Sequence, residues 1–355
     1  MTGTITYQYG RTHTGQGLRS IYHELIEEAS SVYFIKSPPT LLLSELFRQI
    51  GFFYVKRGYD IEWFLDPYVE GALEAVFIRG CKKLFVQASY PISIEPQFVG
   101  STHHILSFYE AYDATKLKNA GPFIREKSMH RDQWMKKFQD EIAKVKALHD
   151  EWEVPYVTHM KWSKVDEAVE KLRNDVFSTI QLAKKAKRTH RLLGSITPDG
   201  AKDNYASIAK SVKRRIYLKG YPGSGKSTLM KKIATYAESV GLDTQWGWCG
   251  LDRDSIDFVY IPELSWMIFD STAPHEYAPE RDADEVFSVQ EFCELTTEET
   301  EKVESIKKQY KDYLQCAIDY LCMFVEEDKV VKETFDSCVN TYKWADLENK
   351  VYQML

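Results

Sequence analysis

The 355-residue sequence predicts an α/β fold in which two tandem domains each contain a largely parallel sheet flanked by helices on both faces. Three observations support this prediction. Strand-like and helix-like segments alternate with short connections, a glycine-rich loop at 220–228 joins one strand to a helix, and the first half of the chain is repeated in the second. We place the domains at residues 1–192 and 193–355, close to the usual size of about 150 residues per domain.

The glycine-rich loop follows a strand predicted at 215–219 and precedes a helix predicted from about residue 226. It fits G-x-x-x-x-G-K-[ST], the phosphate-binding P-loop, as Gly220-Tyr221-Pro222-Gly223-Ser224-Gly225-Lys226-Ser227-Thr228. The glycines let successive N–H groups surround a phosphate at the positive end of the following helix. We expect Lys226 to contact the β- and γ-phosphates and the Ser227 hydroxyl to ligate Mg²⁺. The predicted ligands of ATP, or of another nucleoside triphosphate, are Gly220, Pro222, Gly223, Ser224, Gly225, Lys226, Ser227 and Thr228.

A shift of 183 positions superposes the first half of the chain on the second without gaps for about 80 residues. The matches include residue types that rarely coincide by chance, such as Gly17 with Gly200 and Trp63 with Trp246. In the first copy, the P-loop is replaced by Ser37-Pro38-Pro39-Thr40-Leu41-Leu42-Leu43-Ser44. Without glycine or lysine, this segment offers neither an array of N–H groups nor a cation to a phosphate. We therefore predict that the first domain keeps the fold and lacks a nucleotide site.

The other elements are predicted from hydrophobic periodicity. In the first copy they are strands at 32–36, 60–65, 75–78 and 83–87 and a helix at 44–57; in the second they are strands at 216–219, 244–248, 258–261 and 266–269 and a helix at 226–239. A long amphipathic helix follows in each copy, and a terminal element then begins at Lys161-Trp162 or Lys343-Trp344. We expect these helices to belong to the domain in which they occur.

A P-loop requires a second group to hold the metal, normally an aspartate at the end of a hydrophobic strand. Asp270 ends the strand at 266–269 and is predicted to hold Mg²⁺ together with Ser227, whereas the first copy has Gln87 at this position. Glu263 and His275 are candidates to orient an attacking water, although a surface or turn role for either stays open. With Lys226, these residues are the predicted catalytic set.

Charge and composition narrow the function classes. A net charge of −6 and a pI near 5.9 argue against a surface built for nucleic acid. The basic segment at 184–191 has two interpretations, a nucleic-acid patch or the solvated end of a helix leading into a linker, and we favour the second. The N-terminus has no basic or apolar targeting pattern and no apolar run reaches about 20 residues, which predicts a cytoplasmic protein that does not enter membranes. Oligomeric state stays open.

These residues resemble a family of bacterial proteins with two tandem P-loop domains, described as ATPases or nucleotide kinases of unassigned substrate. The resemblance is carried by Lys219-Gly220-x-Pro222-Gly223-x-Gly225-Lys226-Ser227-Thr228-Leu229-Met230-Lys231-Lys232-Ile233, by Ile261-Pro262-Glu263-Leu264 and by Asp270-x-Thr272-Ala273-Pro274-His275. It covers most of the second domain and, through the repeat, extends to the first. The resemblance implies the fold and an ATP site but no particular reaction. Family members can have an intact P-loop in both halves, and this chain departs from them in having one.

Three functions are compatible with the sequence. The leading hypothesis is a Mg-ATP-binding P-loop NTPase whose second domain slowly hydrolyses ATP or transfers its γ-phosphate to an unknown acceptor. The alternative is a nucleotide-sensing interaction protein, with an unknown protein partner, in which turnover is incidental. A third is a nucleic-acid-associated ATPase that uses the basic segment at 184–191.

Overall fold

A computed structural model of the chain describes residues 2–272 and 276–355. The first half contains β1 (Ile5–Tyr9), β2 (Arg11–Thr14), β3 (Gly17–Ser20), α1 (Tyr22–Glu28), β4 (Ser31–Lys36), α2 (Leu42–Val55), β5 (Ile61–Leu65), β6 (Leu73–Ile78), β7 (Lys83–Gln87), β8 (His103–Ser107), α3 (Ala114–His159) and α4 (Trp162–Phe177). The second half contains β9 (Arg188–Leu192), β10 (Gly194–Thr197), β11 (Gly200–Asp203), α5 (Tyr205–Ala209), β12 (Arg214–Lys219), α6 (Lys226–Ser239), β13 (Thr244–Trp248), β14 (Ile256–Ile261), β15 (Trp266–Asp270), β16 (Glu285–Ser288), α7 (Thr297–Asp336) and α8 (Thr341–Tyr352).

The described residues form two six-stranded sheets with the same strand order. The order is β1-β5-β6-β7-β4-β8 in the first sheet and β9-β13-β14-β15-β12-β16 in the second. In each sheet, the third strand of this order runs antiparallel to both of its neighbours, and the other pairings are parallel. The predicted α/β class with largely parallel sheets is therefore confirmed, and the two halves share one topology.

Helices cover both faces of each sheet. In the second sheet, Ile216 and Leu218 of β12 face α4 and α6, whereas Tyr217 lies on the opposite face with residues of α5. The first sheet has the same arrangement, with Tyr33 and Ile35 on the side of α2 and α8. This alternation explains why β4 and β12 are near-continuous apolar runs, because both faces of a covered strand are buried.

The basic segment at 184–191 differs from the favoured prediction of a solvated helix end. Its second part forms β9, which pairs in parallel with β13. Arg188 pairs with a glutamate of α6, and the buried Arg191 bonds Glu28 at 2.9 Å and Glu62 at 2.8 Å in the first half. The charges of Lys184, Arg188 and Arg191 are thus paired within the protein, and Arg191 joins the two halves.

The long helices α3 and α7 pack along each other in opposite directions. The N-cap Asp113 accepts hydrogen bonds from two backbone N–H groups of α3, and Thr296 and Glu299 form a capping box at the start of α7. The backbone N–H of Asp113 donates to Cys338 just beyond the end of α7, so the start of one helix meets the end of the other. Their shared core contains Phe138, Ile142, Val145, Ala317, Leu321 and Phe324.

Each long helix leads into a terminal helix that packs against the sheet of the other half of the molecule. The end of α3 and the whole of α4 enter the core of the second sheet with Tyr156, Met160, Val165, Val169, Leu172 and Phe177. In return, the segment after α7 enters the core of the first sheet with Cys338, Trp344 and Val351. The expectation that these helices stay in their own domain is wrong, because amphipathic spacing requires an apolar partner without specifying which one.

The predicted domain boundary at 192/193 also differs from the packing, since β9 belongs to the second sheet and α4 and α8 are exchanged. The halves are related by an approximate twofold arrangement. Thr12 and Ser195, which are equivalent in the repeat, have their hydroxyl oxygens 2.8 Å apart. No helix in the part of the chain that the structure describes is both long and apolar enough to cross a membrane.

Candidate functional site

The P-loop sequence lies in the predicted context, directly between β12 and α6. Gly223 and Gly225 have φ values of 76° and 81°, and Gly225 is the N-cap of the helix. Residues with a Cβ rarely adopt such angles, so the conformation of this loop depends on glycine at both positions. The first N–H groups of α6 have no partners within the helix and, with the helix dipole, favour an anion at this end.

Lys226 crosses the loop and lies beside the predicted metal-side aspartate. Its ammonium group donates to the carbonyl oxygens of Gly220 at 2.7 Å and Tyr221 at 3.0 Å, and its Nζ is 3.5 Å from Asp270 Oδ2. Asp270 ends β15, the parallel neighbour of β12, and its other oxygen accepts from the N–H of Thr272 at 2.9 Å. The fold therefore brings the predicted cation and carboxylate together from separate strands.

Two serines of the loop differ in their bonding. The hydroxyl oxygen of Ser227 accepts from the backbone N–H of Ile256 at 3.0 Å, which leaves its proton and a second lone pair for other partners. The side chain of Ser224 is 99% buried, and its hydroxyl oxygen has no hydrogen-bond partner among the described residues. A buried hydroxyl without a partner is costly, and a ligand in the loop is one way to satisfy it.

The last turns of α3 and the start of α4 cover the loop. Glu153 Oε1 accepts a hydrogen bond from the Gly223 N–H at 3.2 Å. A Cβ on Gly223 would lie 2.6 Å from the Glu153 carbonyl oxygen, so this contact also requires glycine. Tyr156 stacks on Tyr221 with 4.6 Å between ring centroids, and the Trp162 ring lies against Gly225. We call residues 149–162 the covering arm.

Charged groups of the covering arm surround Glu153. The ligand atoms of His149, Asp150 and Glu153 lie within 4.8 Å of one another, and Lys146 balances this group through ion pairs with Asp150 and with Asp252. Burial, together with the negative charge of Asp150, raises the pKa of Glu153 above its usual value. Burial also lowers the pKa of His149. The arm therefore presents the carboxyl group of Glu153 at the loop in a partly desolvated setting.

Sequence reasoning missed this arm, because α3 was expected to remain in the first domain. Glu153 is far from the P-loop along the chain, and no local pattern connects the two. One signal was present in the repeat: a shift of 183 positions places Glu153 on Asp336, an acidic residue at the end of α7.

Of the two residues predicted to orient water, Glu263 is not brought to the loop. It follows β14, which runs antiparallel to β15, and so it lies at the opposite edge of the sheet from Asp270. There its Oε1 accepts from Lys184 Nζ at 2.6 Å and from the Asp243 N–H at 3.1 Å. The other candidate, His275, lies outside the described residues.

The equivalent segment of the first half has a different structure. Leu43, at the position of the lysine, is 99% buried in the core, and α2 begins one residue earlier, at Leu42. Thr40 bonds Asp336 through its hydroxyl, and the Leu41 N–H donates to the same carboxylate at 3.1 Å. The groups that a phosphate would need are thus absent from the described segment at 37–44 or already bonded.

No family model, curated protein or solved structure matches this chain. The geometry of the site is therefore the basis for assigning a function. Its chemical content is a loop of backbone donors, an ammonium group, and the hard oxygen atoms of Ser227 and Asp270, which suit Mg²⁺. Donors of this kind match a polyphosphate bound with a magnesium ion.

Proposed function

We propose that the second half of the protein binds Mg-ATP, or another nucleoside triphosphate, and slowly hydrolyses it or transfers its γ-phosphate to an acceptor. The observation that carries this proposal is the position of Lys226. Its ammonium group lies between the loop carbonyls and Asp270, at the end of a loop that depends on two glycines of positive φ. A lysine that served only stability would not require a loop with two glycines of positive φ.

The roles of the residues follow from their chemistry. The N–H groups of Gly223 and of 225–227 bind phosphate oxygens, and Lys226 exchanges its loop carbonyls for the β- and γ-phosphates. Ser227 and Asp270 hold the magnesium ion, directly or through water. When bound, the ion neutralises charge that develops on the transferred phosphoryl group.

We propose slow turnover because the site has few groups that could activate a water molecule. Glu263 lies at the far edge of the sheet, and Asp270 is followed by Ser271 rather than by a second carboxylate. Positioning and electrostatic stabilisation then provide most of the catalysis.

A nucleotide-sensing interaction protein is the second candidate, favoured by one observation. The loop is covered by the arm of the first half, so anything bound there meets both halves of the molecule. The nucleic-acid-associated function has less support, because Arg188 and Arg191 of the basic segment are bonded to glutamates.

The test measures Mg-ATP binding and phosphate release with purified protein, with and without a panel of phosphate acceptors such as nucleoside monophosphates. Acceptor-dependent consumption of ATP selects a transferase, steady phosphate release selects an ATPase, and tight binding without turnover selects the sensor. Stimulation by DNA or RNA that disappears as salt rises would instead revive the nucleic-acid function. Failure to bind any nucleoside triphosphate contradicts the proposal.

A further inference from the structure

The carboxylate of Glu153 lies where the proposed function requires a phosphate. Its Oε1 accepts from the N–H of Gly223, one of the loop donors that face a bound anion. A carboxylate oxygen and a phosphate oxygen have the same charge sign and the same preference for backbone N–H groups. The two groups cannot share this donor, and their like charges repel at such short range.

The contact is built into the packing of the covering arm. The backbone of α3 passes so close to Gly223 that a Cβ there would meet both the carbonyl oxygen and the Cα of Glu153. Tyr156 and Trp162, which both follow Glu153 in sequence, fix the arm against Tyr221 and Gly225. The contacts of the arm therefore hold the carboxylate at the loop, and its position does not depend on one side-chain rotamer alone.

The first half contains the same arrangement, which is a second and independent observation. Asp336, the residue of α7 equivalent to Glu153, bonds the Leu41 N–H and the hydroxyl of Thr40, and Thr40 is equivalent to Gly223. Each loop thus receives a carboxylate from the long helix of the other half. Burial raises the pKa of both carboxyl groups.

The two contacts differ in whether an anion can displace them. In the first half, Leu43 offers no charge to a phosphate, so the bond with Asp336 is a permanent structural link. In the second half, the ammonium group of Lys226 can exchange its loop carbonyls for a phosphate. The side chain of Glu153 is 35% exposed, so solvent and ligands can reach it.

From this difference we propose that Glu153 is an internal competitor of the nucleotide: it occupies a phosphate position of the P-loop, and triphosphate binding displaces it and loosens the covering arm. The inference rests on the proposed function and specifies how that site is regulated. Because binding and arm docking oppose each other, a partner that stabilises the docked arm lowers nucleotide affinity, and one that takes the arm raises it. The first half would thereby control a site that it does not contain.

The test compares wild-type protein with Glu153→Gln and Glu153→Ala, using a non-hydrolysable ATP analogue with Mg²⁺ in titration calorimetry. Removing the competing charge is expected to tighten binding about tenfold. Asp336→Asn is the matched control from the other half, and it is expected to leave nucleotide affinity unchanged. Thermal unfolding of each variant checks that it is folded.

A second measurement does not depend on a variant of Glu153. Hydrogen exchange of the backbone amides at 149–162 is expected to quicken when the analogue binds to wild-type protein, and to stay constant in Lys226→Ala. If the exchange slows instead, the arm closes over the nucleotide and the inference is wrong.

The outcomes separate the inference from the function on which it rests. If wild-type protein binds the analogue and Glu153→Gln binds it equally well, the inference alone fails. If Glu153→Gln keeps wild-type affinity and loses turnover, Glu153 is a catalytic base and the competitor role is also overturned. If neither the wild-type protein nor any variant binds a nucleotide, both the proposed function and the inference that rests on it are wrong.

Discussion

The segments at 37–44 and 220–227 occupy the same place in the same fold, yet one contains the P-loop sequence pattern and the other does not. Both follow a central parallel strand, both lead into a helix, and both are bonded by a carboxylate from the opposite long helix. They differ at the residues that matter to a phosphate, with Thr40 and Leu43 in place of Gly223 and Lys226. The fold does not require the glycines or the lysine, so their presence in the second half calls for a functional explanation.

The first segment also shows what the fold gains without a ligand site. Leu43 is buried against the core of the first sheet, and burying a leucine side chain contributes about 1.5–3 kcal/mol. Lys226 at the same position ends in a charged group bonded to loop carbonyls and is not part of the apolar core, so it contributes less. The second half gives up core stability to keep a cation at the loop.

The largest expected effect comes from placing the lysine of one segment in the other. Leu43→Lys puts an ammonium group into an apolar site, where it loses leucine packing and must be desolvated or expelled. We expect a loss of about 3 kcal/mol or more in the free energy of unfolding, measured by urea denaturation. Leu43→Met is the control for shape and should cost less than about 1.5 kcal/mol.

The reverse exchange, Lys226→Leu, should affect binding and not folding. Loss of the ammonium group is expected to weaken Mg-ATP binding by about tenfold to a hundredfold, because charge-assisted bonds to the phosphates disappear. The free energy of unfolding should change by no more than about 1 kcal/mol, since leucine can replace the buried stem of the lysine and only the bonds of its ammonium group are lost. Wild-type affinity in Lys226→Leu would remove the main difference between the two segments.

Asp270→Gln reproduces the first half at the metal position, where Gln87 is found. We expect binding of ATP in the presence of Mg²⁺ to weaken about tenfold, because a neutral amide is a poorer magnesium ligand than a carboxylate. Binding of ATP without Mg²⁺ should not weaken, since the substitution removes a negative charge near the phosphates. Calorimetry with and without the ion separates the two cases, and equal losses in both would argue against a metal role.

Gln87→Asp, the opposite change, has the smallest effect on nucleotide binding that we predict. The amide of Gln87 donates to the Tyr90 carbonyl at 3.1 Å, and a carboxylate at this buried place loses that bond and is desolvated, which costs about 1–3 kcal/mol of stability. Nucleotide affinity of the whole protein should not change, because the first segment still lacks glycines and a lysine. A gain of a second nucleotide site would show that the aspartate alone had been missing.

Features set by local sequence could be predicted, and those set by long-range packing could not. The P-loop context and the central strands follow from residue periodicity, and the common topology follows from the repeat. β1 and β9 were missed because they contain polar residues, such as Gln8 and Arg191, that are buried in the fold. Arg191 is held there by ion pairs with Glu28 and Glu62, which are distant in sequence.

The position of Glu153 could not be predicted from the sequence, for a different reason. The sequence shows that α3 and α4 have apolar faces without showing which sheet those faces cover. Glu263 illustrates the opposite error: it is near Asp270 in sequence and on the wrong side of the sheet, because the antiparallel β14 reverses the direction of the chain.

The reciprocal exchange of α4 and α8 makes each half incomplete without the other. A gene encoding only 193–355 would yield a product whose α6 has lost the apolar cover of Val165, Val169 and Leu172, and we expect this product to aggregate. The first half, although it lacks the loop pattern, is therefore needed as part of the scaffold that holds the candidate site.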